Sequence, residues 1–217
     1  MGEGAFGPEA FAARTGVSRE TLAALERYAA LLVRWQRRIN LVSPGSLGAL
    51  WWRHMFDSAQ LHPLLPLGTR TLLDIGSGAG FPGLVLAAMG VPAVHLVESD
   101  TRKGVFLREA ARVVAPGRVR VHAVRVERLA PFPVDVVTAR AVAPIATLLR
   151  LAAPFLAPHT VCLFLKGARA EEELTAAAKE WTMRMARVAS LTDPRATILK
   201  LDRIAREPGT RNRLAHP

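Results

Sequence analysis

TLLDIGSGAGFPG, residues 71–83, opens on a short apolar run, meets an acid at Asp74, and then carries Gly76, Gly78, Gly80 and Gly83. The apolar run reads as a strand buried on both faces, as in a parallel sheet. The glycines read as a tight turn whose backbone comes close to another group. The next residues, FPGLVLAAM, read as a helix with Pro82 near its first turn. Strand, glycine turn and helix together present backbone N–H groups and a helix N-terminus at the carboxyl edge of an open α/β sheet.

Downstream of this unit the same alternation continues. Strands are predicted at 71–75, 94–98, 119–124, 134–138, 161–166, 183–189 and 197–203, with helices between them at 81–89, 102–114, 144–156 and 169–181. Only a short link containing Pro194, Arg195 and Ala196 separates the last two strands, which predicts an antiparallel hairpin. The fold expected is therefore α/β, a doubly wound and mostly parallel seven-stranded sheet closed by an antiparallel hairpin. Upstream, residues 18–68 form a helical extension. Ser18 caps a helix whose apolar stripe is Leu22, Leu25, Tyr28, Leu32, Trp35 and Ile39, and a second helical piece runs from Leu50 to Leu61. Residues 1–17 are expected to be disordered, 69–205 to form the ligand-binding domain, and 206–217 to be a basic tail.

Composition narrows the function. The formal charge of +11 favours an acidic partner, of which nucleic acid is the commonest. Few of the 29 basic residues are lysine, so a general bias toward arginine is an alternative origin for the charge. No apolar run is long enough for a membrane span and the first residues lack a signal-peptide pattern, so a cytoplasmic location is expected. Cys162 is the single cysteine and lies in the apolar run VCLFL, where it reads as a small buried hydrophobe. No His, Cys and acid cluster has metal-ligand spacing.

The pattern G-x-G-x-x-G occurs at Gly78, Gly80 and Gly83, which by itself would suggest a dinucleotide oxidoreductase. The strand, however, ends at Ile75, and Asp74 then stands at the start of the turn. A carboxylate there repels a pyrophosphate and suits a ligand with a positive end, such as S-adenosylmethionine. Glu98 ends the second strand, where a carboxylate accepts both ribose hydroxyls of a nucleoside.

Several further segments resemble one family. WQRRINLVS (35–43), RHMFDS (53–58), DIGSGAGFPG (74–83), LVESDTRKGVFLRE (96–109), VRVERL (124–129), TARAVA (138–143) and FLKG (164–167) are similar, in this order, to the small-subunit (16S) ribosomal RNA guanine-N7 methyltransferases, the glucose-inhibited division protein B family. The resemblance covers roughly Leu25 to Arg203. Glu98 stands where many relatives have Asp, and Phe81 where many have Leu. The resemblance implies a Rossmann-like class I methyltransferase fold, S-adenosylmethionine as cofactor, and 16S ribosomal RNA or the small ribosomal subunit as partner. It places the cofactor at Gly76 and Phe81, at Val126 and Glu127 after the third strand, and at Arg140 after the fourth. Asp74, Gly78, Gly80 and Glu98 join that set from the reading of the turn itself.

Methylation at guanine N7 needs no general base, because N7 already carries an available lone pair. What the chain lacks agrees with this. Pyrimidine C5 chemistry would want a nucleophilic thiol, and exocyclic-amine enzymes commonly carry an Asn/Asp-Pro-Pro-aromatic loop where this chain has Ala139-Arg140-Ala141. Arg140 and Lys166 are the candidates at the reacting centre. Arg140 would bind either the cofactor carboxylate or RNA, and Lys166 either a phosphate or only solvent. The expected RNA face combines Arg34, Arg37, Arg38, Arg53 and His54 with Arg102 and Lys103. Trp51 and Trp52 either stack a base or pack in the core. A monomer without metal is expected. The rival readings are a nicotinamide-dependent oxidoreductase and a non-catalytic RNA-binding protein.

Overall fold

The computed structural model describes residues 6–140 and 142–207. Seven strands form one sheet in the order β3-β2-β1-β4-β5-β7-β6. They are β1 (Thr71–Ile75), β2 (Ala93–Val97), β3 (Val119–His122), β4 (Val134–Arg140), β5 (Leu156–Lys166), β6 (Trp181–Ala189) and β7 (Thr197–Arg206). The first five pair in parallel, and β7 pairs antiparallel with both β5 and β6. Strand order reverses direction between β1 and β4, so the crevice beyond their carboxyl ends is the switch point where such sheets bind ligands.

Helices cover both faces. Leu72 of β1 belongs to an apolar cluster with α5 (Gly83–Ala88), α6 (Thr101–Val114) and the N-terminal helices. Leu73 and Ile75 point the other way, into a cluster with α7 (Ile145–Ala152) and α8 (Ala170–Ala177). This alternation follows from the two-residue repeat of a strand. Asp100 caps α6 by accepting from the amide of Arg102 at 2.8 Å.

The extension consists of α1 (Pro8–Thr15), α2 (Arg19–Gln36), α3 (Pro44–Leu47), a π-helical turn at Trp51–Phe56 and α4 (Asp57–Ala59). Ser18 caps α2 as expected, accepting from the amide of Thr21 at 3.2 Å. The stripe residues Leu25, Tyr28 and Leu32 are fully buried in the same cluster as α5 and α6, so the extension shares the core of the sheet.

Two expectations at the ends need correction. Within residues 1–17, expected to be disordered, Pro8–Thr15 is helical. Its Phe11 is fully buried with its ring edge-on to Trp51 at 5.4 Å, and that burial holds a helix too short to persist alone. The basic tail was expected from Arg206, but Arg206 is the last residue of β7 and pairs with Trp181 of β6. Residues 208–217 of that tail lie outside the described residues.

Candidate active site

The glycine turn, the ends of β4 and β5, the extension and the β6–β7 turn surround a cleft of about 650 Å³. Gly76, Ser77, Gly78, Ala79 and Phe81 form one wall. Gly76 has φ +66°, a conformation that L side chains rarely adopt. A Cβ there would lie 2.6 Å from Cγ2 of Val142, which crosses over the turn from the end of β4. Gly83 solves a different problem. A Cβ on it would fall 2.4 Å from Leu96, so its absence lets α5 lie directly against the sheet.

Asp74 does not face the cleft. Its side chain points with Leu72 toward α5 and is fully buried. Oδ1 accepts from the Thr138 hydroxyl at 2.8 Å, while Oδ2 meets no well-formed hydrogen-bond donor among the described residues. Burial pushes its pKa up to about 6, against the lowering effect of Thr138. The expectation that this carboxylate meets a ligand directly is therefore corrected: strand alternation turns it beneath the turn, where it joins β1 to β4. Gly80 is buried in the turn beside it. Its backbone has φ +96°, and a Cβ on it would strike Leu84 at 2.4 Å in the core rather than enter the cleft.

Glu98 closes the turn from the next strand. Oε2 accepts from the Gly78 amide at 2.9 Å and Oε1 from the Asp100 amide at 2.8 Å. A carboxylate has about four acceptor positions, so two remain for a ligand. Val126 is buried and Glu127 exposed on the 3₁₀ turn that follows β3, on the same edge of the sheet but outside the main cleft.

Arg140 ends β4 and enters the cleft. Its guanidinium donates to the Arg53 carbonyl at 3.1 Å, pairs with Asp57 at 3.4 Å and lies 5.1 Å from the Phe81 ring centroid. The ring of His54 stacks on the same Phe81 at 5.1 Å. Nε2 of His54 lies 2.8 Å from the Ser46 hydroxyl. Burial, then Arg140 and Arg53, push the His54 pKa down to about 3, so the imidazole is neutral near pH 7. Lys166 is buried. Its ammonium meets Glu173 at 2.6 Å and donates to the Ala143 carbonyl at 2.9 Å. Glu173 also accepts from the Ile145 amide at 3.1 Å, so this pair holds the chain between β4 and α7. That engagement corrects the reading of Lys166 as a merely solvated end group, and its side chain also lines the cleft.

The residues expected at an RNA face separate into two places. Arg37, Arg38 and Lys103 line a groove with Arg102 at the junction of α2 and α6, and Arg34 is exposed on the last turn of α2. Arg53 and His54 line the cleft instead. Trp51 and Trp52 take the core alternative. Trp51 meets Phe11, and Trp52 stacks on Phe56 at 5.3 Å and donates to the Thr192 carbonyl at 3.1 Å. Cys162 is buried, and desolvation pushes its thiol pKa far above the ordinary range. Among the described residues no three metal-ligating side chains are grouped.

Asp57, Glu173 and the β6–β7 turn were not read as site residues from the sequence. Asp57 lies within RHMFDS, a motif that was visible. The turn at 190–197 carries no signal of its own, because its place at the cleft depends on the folding of the sheet.

This fold is shared with methyltransferases of known structure. M. jannaschii TYW2, solved with AdoMet, superposes with a TM-score of 0.56 at 14% identity, covering 79% of this chain and 80% of that one. The Bacillus cereus O-methyltransferase, solved with SAH, gives 0.54 at 14% identity, covering 86% and 92%. At such identities the likeness is one of fold. Sequence similarity is more specific. The model of the GidB family, rRNA small subunit methyltransferase G, matches residues 21–199. The ribosomal RNA small subunit methyltransferase G of Paramagnetospirillum magneticum is 58% identical over 200 residues, covering 92% of this chain and 97% of the relative. That of Rhodospirillum rubrum is 57% identical over 199 residues, covering 92% and 98%. The chain belongs to the GidB family.

Proposed function

We propose that the chain transfers a methyl group from S-adenosylmethionine to N7 of a guanine in small-subunit (16S) ribosomal RNA. The observation that carries this reading is a cleft at the switch point holding a glycine turn, Arg140 and a neutral His54, with its one cysteine buried elsewhere. The residues fit the cofactor by their chemistry. The glycine turn leaves space where a Cβ would intrude, Glu98 keeps acceptor capacity for ribose hydroxyls, and Arg140 offers a cation to a carboxylate. Val126 and Glu127 would frame the adenine, and Gly76 and Phe81 the middle of the molecule.

When bound, the cofactor supplies an electrophilic methyl on a sulfonium. A guanine N7 lone pair would take that methyl in line, with the C–S bonding pair left on sulfur and no proton to remove. The protein's task is then to orient the two partners in line. Phe81, in contact with both His54 and Arg140, gives the cleft an apolar surface for this. Lys166 acts as a positioning residue, because its ammonium is engaged by Glu173 and Ala143. Arg34, Arg37, Arg38 and Lys103, with Arg102, supply sequence-independent attraction for RNA phosphates. Arg53 does so at the cleft, while neutral His54 belongs to its wall. The protein acts as a monomer in the cytoplasm.

Replacing the target guanine with 7-deazaguanine tests the assignment. Nucleoside mass spectrometry of wild-type reactions should show 7-methylguanosine, and the substituted RNA should stay unmodified at that position. Methylation that persists on the deaza base would refute N7 as the acceptor.

A further inference from the structure

We propose that the β6–β7 turn, Ser190–Thr197, forms the acceptor wall of the cleft and seats the target nucleotide of the RNA, with Arg195 and Arg53 on its phosphate. The inference rests on the reading of the cleft as the methylation site and adds where the RNA enters it.

The turn is a built wall. Trp52 donates to the Thr192 carbonyl at 3.1 Å, the Leu191 amide donates to Oε1 of Gln60 at 2.9 Å, and the Thr192 hydroxyl donates to Asp57 at 2.5 Å. Nε2 of Gln60 adds a bond to the Ser190 hydroxyl at 3.3 Å. Gln60 is itself buried. A link between two antiparallel strands needs none of these bonds to close its ladder. They fix the turn in the lining of the cleft, which the glycine turn also lines.

Charge places the phosphate. Arg140 and Lys166 also line the cleft, but Arg140 is the cation assigned above to the cofactor carboxylate and Lys166 is engaged by Glu173, and their side chains are only 19% and 7% exposed. Arg53 is exposed and forms no ion pair among the described residues. Among the described residues the Arg195 side chain pairs with its neighbour Asp193 alone, at 3.4 Å, and is 79% exposed. Arg53, Asp193 and Arg195 all line the cleft, and Arg195, with a smaller contribution from Arg53, holds the Asp193 carboxyl below its usual range, so two cations and one carboxylate leave a net positive charge there. The accessible positive charge thus lies at the rim, and the stacked rings of His54 and Phe81 lie within. An anion at the rim with a planar group inside is the chemistry of a nucleotide turned out of its stack.

The test is a binding cycle. The guanosine that the wild-type chain methylates is located first. RNA is then made with a neutral methylphosphonate at that nucleotide, or with the native phosphate. Both RNAs are titrated with full-length wild type and with the Arg53→Ala, Arg195→Ala double variant. Wild type should lose roughly tenfold in RNA affinity on the neutral RNA, as one charge-assisted contact implies. The double variant should bind both RNAs equally. Its affinity for S-adenosylmethionine by calorimetry, and its melting temperature, should match wild type. Arg195→Lys should restore part of the sensitivity to the neutral linkage. A double variant that keeps the full wild-type sensitivity, or a wild type that ignores the methylphosphonate, overturns the proposal. The cycle reads binding, so a modified position other than N7 would defeat the assigned reaction and leave this result standing on its own.

Discussion

Gly76 joins backbone conformation to the proposed cofactor pocket at a single position. Its φ of +66° is strained for any other residue, and Val142 occupies the space a side chain would need. Val142 is 41% exposed, so it has room to move aside. Gly76→Val should therefore leave the chain folded, at a cost of about 1–3 kcal/mol for the strained conformation. It should abolish measurable binding of S-adenosylmethionine. Calorimetry together with far-ultraviolet circular dichroism checks both halves, and retained donor affinity in the folded variant would remove Gly76 from the pocket. Asp74 teaches the opposite lesson at the same scale. Its type and spacing were visible in the sequence, but strand alternation aims it at α5 and Thr138. A residue at the right place in a motif can serve the turn from below rather than the ligand from above.

Among the elements, the extension and the terminal hairpin meet through Asp57. One oxygen accepts from Thr192 at 2.5 Å and Gln60 at 2.9 Å, and the other pairs with Arg140 at 3.4 Å. Both partners of the ion pair are largely shielded from solvent, which makes the contact worth more than a surface bridge. Asp57→Asn keeps one acceptor oxygen and removes the charge. The expected destabilisation is about 1.5–3 kcal/mol in urea unfolding, the range for hydrogen bonds to charged groups. In a double-mutant cycle with Arg140→Gln the two losses should add to more than the combined change, with a coupling of about 1 kcal/mol. Strictly additive losses would show that the pair contributes nothing. Helix α1 shows the limit of local reading. Residues 1–17 were expected to be disordered as a chain terminus, and the tertiary contact of Phe11 with Trp51 overrides that expectation.

For the whole molecule, titration sets an acid limit. Burial lowers the pKa of His54 to about 3 and of His95 to about 4, and lowers His122 as well. His95 and His122 stack with ring nitrogens 3.0 Å apart, an arrangement that two imidazolium ions would not tolerate. Below the ordinary value of 6.5 the unfolded chain binds protons that the folded chain refuses, so stability falls as pH drops from about 6.5 toward 4. Asp74 acts in the opposite sense. Its raised pKa adds stability that is full below 3.8 and lost as pH rises through about 6. The histidines outnumber it, so the net slope follows them, on the order of 1 kcal/mol per pH unit. Unfolding in urea should therefore give a lower stability at pH 5 than at pH 7, and His95→Gln should narrow that gap. Equal stability at the two pH values would contradict the burial of these rings.

The sequence by itself determined the alternation of strands and helices, the terminal hairpin, the glycine turn and the cap of α2. Each of these depends on neighbours a few residues apart, through periodicity, backbone freedom or a local hydrogen bond. It also carried the family resemblance, because the motifs keep their order along the chain. Tertiary structure alone decided which side chains face the cleft. It buried Asp74 and Gly80, tied Lys166 to Glu173, separated Arg53 and His54 from the basic groove at Arg37 and Lys103, and brought Thr192 onto Asp57. Those outcomes depend on strand register and on contacts between residues far apart in the chain. Packing fixes them only when the sheet and its extension close on one core.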